Sequence, residues 1–216
     1  MKQAAVKPRF IVLDGLDGTG KTTQCTLLAE YLIKSGVKAA VGFEPGGTEA
    51  GRRIREILLN SQTSISKETE LLLFSADRAE HQVKVASLLE LGFWVISDRF
   101  LSSTWAYQVR GRSAPIGLFE AVLPYTIKQY PDLTIILDLE AESAVQRSLL
   151  RLKAEGKEIA EGRFESEKSS FFQKTREGFL EYAANRQYGE TIIINAAQTI
   201  EEVSEQIIDA VRERFL

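Results

Sequence analysis

The chain has 216 residues, 44% hydrophobic and 26% charged, a balance outside the disordered, collagenous and disulfide-scaffold ranges and inside that of a globular domain. Lys and Arg number 27 against 30 Asp and Glu, for a net charge of −3, so a broad basic face that coats nucleic acid is disfavoured and any anion site has to be local. A single cysteine, Cys25, and a single histidine, His81, exclude an internal disulfide and a His/Cys zinc cluster. No apolar run approaches the roughly 18 residues of a membrane span, and residues 1–8 hold no apolar stretch of signal-peptide length. The expected setting is the cytoplasm, with neither membrane nor nucleic acid as a partner.

The first candidate strand, at residues 10–13, leads directly into Gly15-Leu16-Asp17-Gly18-Thr19-Gly20-Lys21-Thr22, a full match to G-x-x-x-x-G-K-[ST], and a helical pattern follows over about 21–35. In this setting glycines let backbone N–H groups turn inward around a polyphosphate, and the helix N-terminus adds partial positive charge. Lys21 would reach the β- and γ-phosphates of a nucleotide and Thr22 would place its hydroxyl on Mg²⁺. Such a loop does not name the reaction, because GTP switches, motor ATPases and small-molecule kinases share it. The chain has no Asn-Lys-x-Asp or Thr-Lys-x-Asp segment for reading guanine, which disfavours a GTPase.

Gly36 sits where a C-terminal cap of that helix is expected. A strand at 39–43 then runs into Glu44-Pro45-Gly46-Gly47-Thr48, a turn and helix start. Helices are expected at about 49–60 and 66–91, the second closed by Gly92 and carrying Phe74 and Arg78 four residues apart, hence on one face. The strand at 93–96 ends in Ser97-Asp98-Arg99-Phe100, which sets an acid and a guanidinium beside the loop at the carboxyl edge of a sheet, where ligands bind. Ser103, Thr104, Tyr107 and Gln108 then offer hydroxyls and an amide, enough to read a pyrimidine edge or to form an ordinary polar capping turn. Helices at about 115–129, 140–154, 166–185 and 199–214 alternate with strands at 133–137 and 191–194. Residues 153–163, dense in Lys, Glu and Gly, read as a mobile surface segment with little to bury. The strands are apolar at nearly every position, which implies an α/β fold with a parallel sheet covered on both faces. His81, Cys25, Trp94 and Trp105 read as structural.

Taken together, residues 15–23, 44–48, 73–78, 98–100, 102–108 and 131–134 resemble, in order, the motifs of the thymidylate kinase family, and the resemblance covers essentially the whole chain. It implies a P-loop NTPase fold of the nucleoside monophosphate kinase kind, with a five-stranded parallel sheet between helices. It further implies one domain over residues 1–216 with a lid at about 147–165, a homodimer, and Mg²⁺-dependent transfer of the ATP γ-phosphoryl group to dTMP. Gly15, Leu16, Asp17, Gly18, Thr19, Gly20, Lys21, Thr22 and Thr23 would then bind ATP, and Asp17 would also hold the sugar 3′-hydroxyl. Glu44 and Pro45 would line the monophosphate pocket and Arg55 would be directed to the monophosphate. Phe74 would lie under the base with Arg78 on the phosphate, Arg99 and Ser103 would belong to the same acceptor site, Thr104 and Gln108 would contact the base, and Tyr107 would pack near the sugar. Asp98 would help position the metal through water. Relatives usually have Arg immediately before the Glu, where this chain has Phe43. The phosphate loop has no arginine at positions 16–19, so Arg147, Arg151 and Arg163 become the implied lid stabilisers of the transferring group, beside Lys21 and Arg99. Two other readings stand against this one. A deoxynucleoside kinase needs the acid after strand two as a base, and a non-catalytic nucleotide sensor would have been favoured by a lid without arginines.

Overall fold

The computed structural model describes residues 7–216. Five strands, β1 (Phe10–Asp14), β2 (Ala39–Phe43), β3 (Trp94–Asp98), β4 (Leu133–Asp138) and β5 (Thr191–Asn195), form one parallel sheet in the order β2-β3-β1-β4-β5. In β1 and β3 successive side chains feed two separate cores. Ile11, Leu13, Trp94 and Ile96 enter one, and Phe10, Val12 and Val95 enter the other. That two-sided burial is why these strands show no polar alternation. The edge strands β2 and β5 are only partly covered.

Helices α1 (Lys21–Lys34) and α9 (Ile200–Phe215) cover one face, while α3 (Lys67–Glu90) and α5 (Ile116–Thr126) cover the other. The remaining helices are α2 (Glu49–Leu59), a short α4 (Leu101–Ser103), α6 (Ala141–Glu155), α7 (Glu158–Glu161) and α8 (Ser169–Ala184). Both expected glycine caps are present: the Gly36 and Val37 amides donate to Ile33 and Leu32, and those of Gly92 and Phe93 to Leu89 and Leu88. The Phe93 amide is thereby consumed by the helix end, so β3 begins one residue later than expected. Among the described residues, no helix is long and apolar enough to cross a membrane.

Two regions differ from the sequence expectation. Residues 102–108 are not a simple capping turn, because α4 continues into a π-helical segment, Thr104–Gly111. This segment packs closely on α8, where a Cβ at Gly178 would stand 2.9 Å from the Ala106 Cα. Asp14, a carboxylate closing an otherwise apolar buried strand, anchors the segment to the sheet. It accepts from the hydroxyls of Ser102 (2.6 Å) and Ser103 (2.7 Å) and from the amides of Ser103 and Phe100. Residues 153–163 are also not uniformly unanchored. Lys153 to Ala160 are exposed, but α7 forms within the segment and its far end is pinned by buried Arg163 and Phe164.

The order of the sheet reverses at β1, where Leu13 lies opposite Asp98 at the carboxyl end of β3 and Asp14 lies opposite Ile136 of β4, which runs two residues further to Asp138. A crevice at such a switch point is where open parallel sheets bind ligands.

Candidate active site

At that crevice lies a cavity of about 780 Å³, within the ordinary range of ligand sites. One end is the phosphate loop. Gly15, Gly18 and Gly20 all have positive φ (140°, 86° and 91°), a region other residues rarely enter. At Gly18 a Cβ would also stand 2.2 Å from the Ala144 carbonyl on α6, so the loop is pressed against the helix that carries Arg147 and Arg151. Asp17, Gly18, Gly20, Lys21, Thr22 and Thr23 face the cavity, while Leu16 and Thr19 are buried in the loop itself. Lys21 folds back to donate to the Leu16 carbonyl at 2.8 Å. Burial and the nearby positive charge of Arg99 lower its proton affinity, partly offset by Asp17, Asp98 and Asp14. The Thr22 hydroxyl donates to Asp98. These two oxygen groups are the pair the sequence assigned to the metal.

Beyond the loop stands a charge cluster. Arg99 follows β3 with φ of 77°, a left-handed conformation costly for a side-chain-bearing residue. The turn aims its guanidinium at Asp17 (2.6 Å) and at the Ser103 hydroxyl (2.7 Å). Tyr107 donates its hydroxyl to the other Asp17 oxygen at 3.0 Å. Burial alone would raise the Asp17 carboxyl, but Arg99 and Lys21 outweigh it and hold the group well below the usual carboxylate range. Asp17 is therefore an ionised acceptor at the junction between the phosphate loop and the rest of the cavity.

The far end is lined by Phe43, Glu44, Pro45, Arg55, Phe74 and Gln108, with Phe164 beside them. Arg55 donates to the Pro45 carbonyl (2.9 Å) and pairs with Glu161 of α7 at 3.0 Å. Phe74 and Phe164 stand with ring centroids 6.2 Å apart, and Tyr107 is 5.5 Å from Phe164, so this end of the cavity has aromatic walls.

The structure separates residues that sequence spacing had grouped. Phe74 reaches the cavity, but Arg78 does not line it. Arg78 is 2% exposed and commits its guanidinium to Glu44 (2.9 Å), the Thr104 hydroxyl (2.8 Å) and the Phe100 carbonyl (2.8 Å). Thr104, as its acceptor, also stands behind the wall. Of the lid arginines, Arg147 and Arg151 line the cavity, whereas Arg163 is buried against Glu70. Sequence reasoning passed over Asp14, Glu70, Glu161 and Phe164, and over the bond from His81 Nδ1 to Glu44 (2.8 Å). Two of these had a readable signal: Asp14 ends an apolar strand, and Glu70 shares the Phe74 face of α3 at i, i+4. An acid in either place demands a partner.

Residues 13–207 match the family model described as thymidylate kinase. A thymidylate kinase of Maridesulfovibrio salexigens is 41% identical over 209 residues, covering 95% of this chain and 96% of its own. Relatives of the same name from Carboxydothermus hydrogenoformans (40%; 85% of this chain and 88% of its own) and Nitratidesulfovibrio vulgaris (39%; 94% and 91%) align along most of their length. With that likeness spanning the phosphate loop, the Asp98-Arg99 corner and the lid, the chain belongs to the thymidylate kinase family.

Proposed function

We propose that the chain transfers the γ-phosphoryl group of ATP to dTMP, giving dTDP. The observation that carries this reading is a single cavity that joins a complete phosphate loop to an aromatic-walled, arginine-bearing acceptor end. The attacking phosphate oxygen of a monophosphate is already mostly ionised near neutral pH, since its second pKa is about 6, so no strong base is required. The main difficulty is the repulsion between two polyanions. Lys21, Arg55, Arg99, Arg147 and Arg151 all face the cavity and offset that charge as it spreads in transfer. Asp17, held ionised, accepts from a sugar hydroxyl, and closure of residues 147–165 over the cavity excludes water that would otherwise hydrolyse ATP.

The oxygen pair at Thr22 and Asp98 suits Mg²⁺, which keeps most of its waters and takes one or two protein oxygens together with phosphate oxygens. Among the described residues no cluster of three acidic, His or Cys side chains forms a metal cage, in keeping with an ion held largely by the nucleotide. When bound, the ion would supply charge neutralisation at the phosphates.

The deoxynucleoside kinase reading fares worse. It requires a free base after β2, yet Glu44 is occupied by Arg78 and His81. A bare sensor has no use for two lid arginines in the cavity. One kinase domain in the cytoplasm, with its one buried cysteine reduced, fits the remaining features. A homodimer through α3 is supported by the exposed apolar row Leu72, Ala76 and Val83.

An ADP-release assay over the nucleoside monophosphates, with thymidine alongside, tests the reading. Turnover is expected with dTMP and essentially none with thymidine. Comparable turnover of thymidine, or no preference for dTMP, would overturn it.

A further inference from the structure

Glu70 lies one helical turn before Phe74 on α3 and is 1% exposed, yet it faces three donors. Arg163 from the end of the lid bonds it through both terminal nitrogens, Arg112 approaches to 3.3 Å, and the Gln108 amide nitrogen donates to it at 2.8 Å. A carboxylate ion-paired with two guanidiniums offers its oxygens as acceptors. The Gln108 amide is therefore fixed with its NH₂ toward Glu70, because the flipped amide would set oxygen against oxygen. Its carbonyl oxygen receives no hydrogen bond from the described residues and is not one of their sealed, partnerless polar atoms, so it opens on the cavity that Gln108 lines. That oxygen lies at the aromatic end, with Phe74 and Tyr107 among the lining residues.

We propose that Glu70 is a specificity-positioning residue: by fixing the Gln108 amide it presents an acceptor to the base edge, so the site selects a pyrimidine with a ring N–H over one with a ring lone pair. Thymine carries N–H at position 3, and cytosine carries a bare nitrogen there. A site built to accept that hydrogen rejects the analogue lacking it, since two acceptors then face each other without water between them. Arg163 ties this arrangement to the lid, so the carboxylate that orients the amide is fully paired only when the end of the lid is seated. The inference rests on the proposed dTMP kinase reading and goes one step beyond it.

The test compares kcat/KM for dTMP and dCMP in the intact chain, in Glu70→Gln, in Glu70→Asp and in Gln108→Met. Glu70→Gln removes the constraint on the amide. Glu70→Asp keeps the charge opposite Arg112 and Arg163 but draws it away from Gln108, which preserves folding if the neutral variant does not fold. The dTMP to dCMP preference should fall about ten- to a hundredfold in Glu70→Gln and in Gln108→Met, with a smaller fall in Glu70→Asp. Adding Glu70→Gln to Gln108→Met should change the ratio no further. A purely structural Glu70 would lower both activities together and leave the ratio unchanged; an unchanged ratio in any folded Glu70 variant overturns the proposal. If the unaltered chain does not phosphorylate dTMP, the proposed function fails instead, and the two failures are thereby told apart.

Discussion

Replacing Arg78 by Met tests whether this residue is a ligand group or a keystone of the wall. Its side chain and that of Glu44 are 2% and 3% exposed, and removing one partner of a buried ion pair costs about 3–5 kcal/mol because the other charge stays buried. The Phe100 carbonyl loses its donor as well, a cost that overlaps with the first and is not added to it. For a chain of about this size each kcal/mol moves Tm by roughly 2–4 °C, so Arg78→Met should melt roughly 6–20 °C lower. Calorimetry without ligand reads this directly. In the double variant Glu44→Gln/Arg78→Met no buried charge is stranded, and a neutral amide can still accept from His81, so the double variant should be more stable than Arg78→Met alone. A single variant within about 3 °C of the parent, or a double variant less stable than the single, would refute the buried-pair reasoning and return Arg78 to an exposed, ligand-facing role.

Lys21→Ala should fold normally but lose at least about a hundredfold in turnover, since a positioned cation at developing charge is worth several kcal/mol; near-normal turnover would sink the phosphate-loop assignment. Arg151→Ala should lower kcat with little change in Tm, while Arg163→Ala should lower Tm because it leaves Glu70 buried with Arg112 as its remaining cation; the reverse pattern in paired activity and melting measurements would exchange their roles. Asp77 is pushed up to about 6, first by burial and then by Glu44. The folded state thus holds this proton more tightly than the unfolded chain does, and stability should fall as pH rises from about 4 through 6, by roughly 3 kcal/mol. Asp77→Asn can still accept from the Gly46 amide and should remove that fall; urea unfolding at pH 4.5 and 7.5 that shows the same pH dependence in both proteins would contradict it.

Most of the fold was legible because its signals are local. The apolar strands, the glycine loop and the caps at Gly36 and Gly92 each depend on a few consecutive residues, and they stand where periodicity and backbone freedom place them. The π-helical segment over Thr104–Gly111 was not legible. Its i→i+5 hydrogen bonding goes with packing on α8 and with the grip of Asp14 on Ser102 and Ser103 just before it, which are contacts between segments far apart in the chain.

The same division explains the site. Spacing of four on a helix correctly predicts that Phe74 and Arg78 share a face, but which of them meets the cavity is decided by Glu44, 34 residues upstream, which captures Arg78 within the wall. Three arginines bracket the lid in sequence, and it is Glu70, 93 residues away, that takes Arg163 out of the cavity and leaves Arg147 and Arg151 in it. In both cases a buried carboxylate draws a guanidinium out of the cavity and into the wall. Burial makes each pairing nearly compulsory, since an unpartnered ion there would cost several kcal/mol. An arginine near this site can therefore be assigned to ligand only after every buried acid around it has been matched with its cation, and Arg55 shows the intermediate case. Its partner Glu161 sits on α7 with a side chain 20% exposed, at a depth where a bound phosphate can compete for the guanidinium as it could not for Arg78.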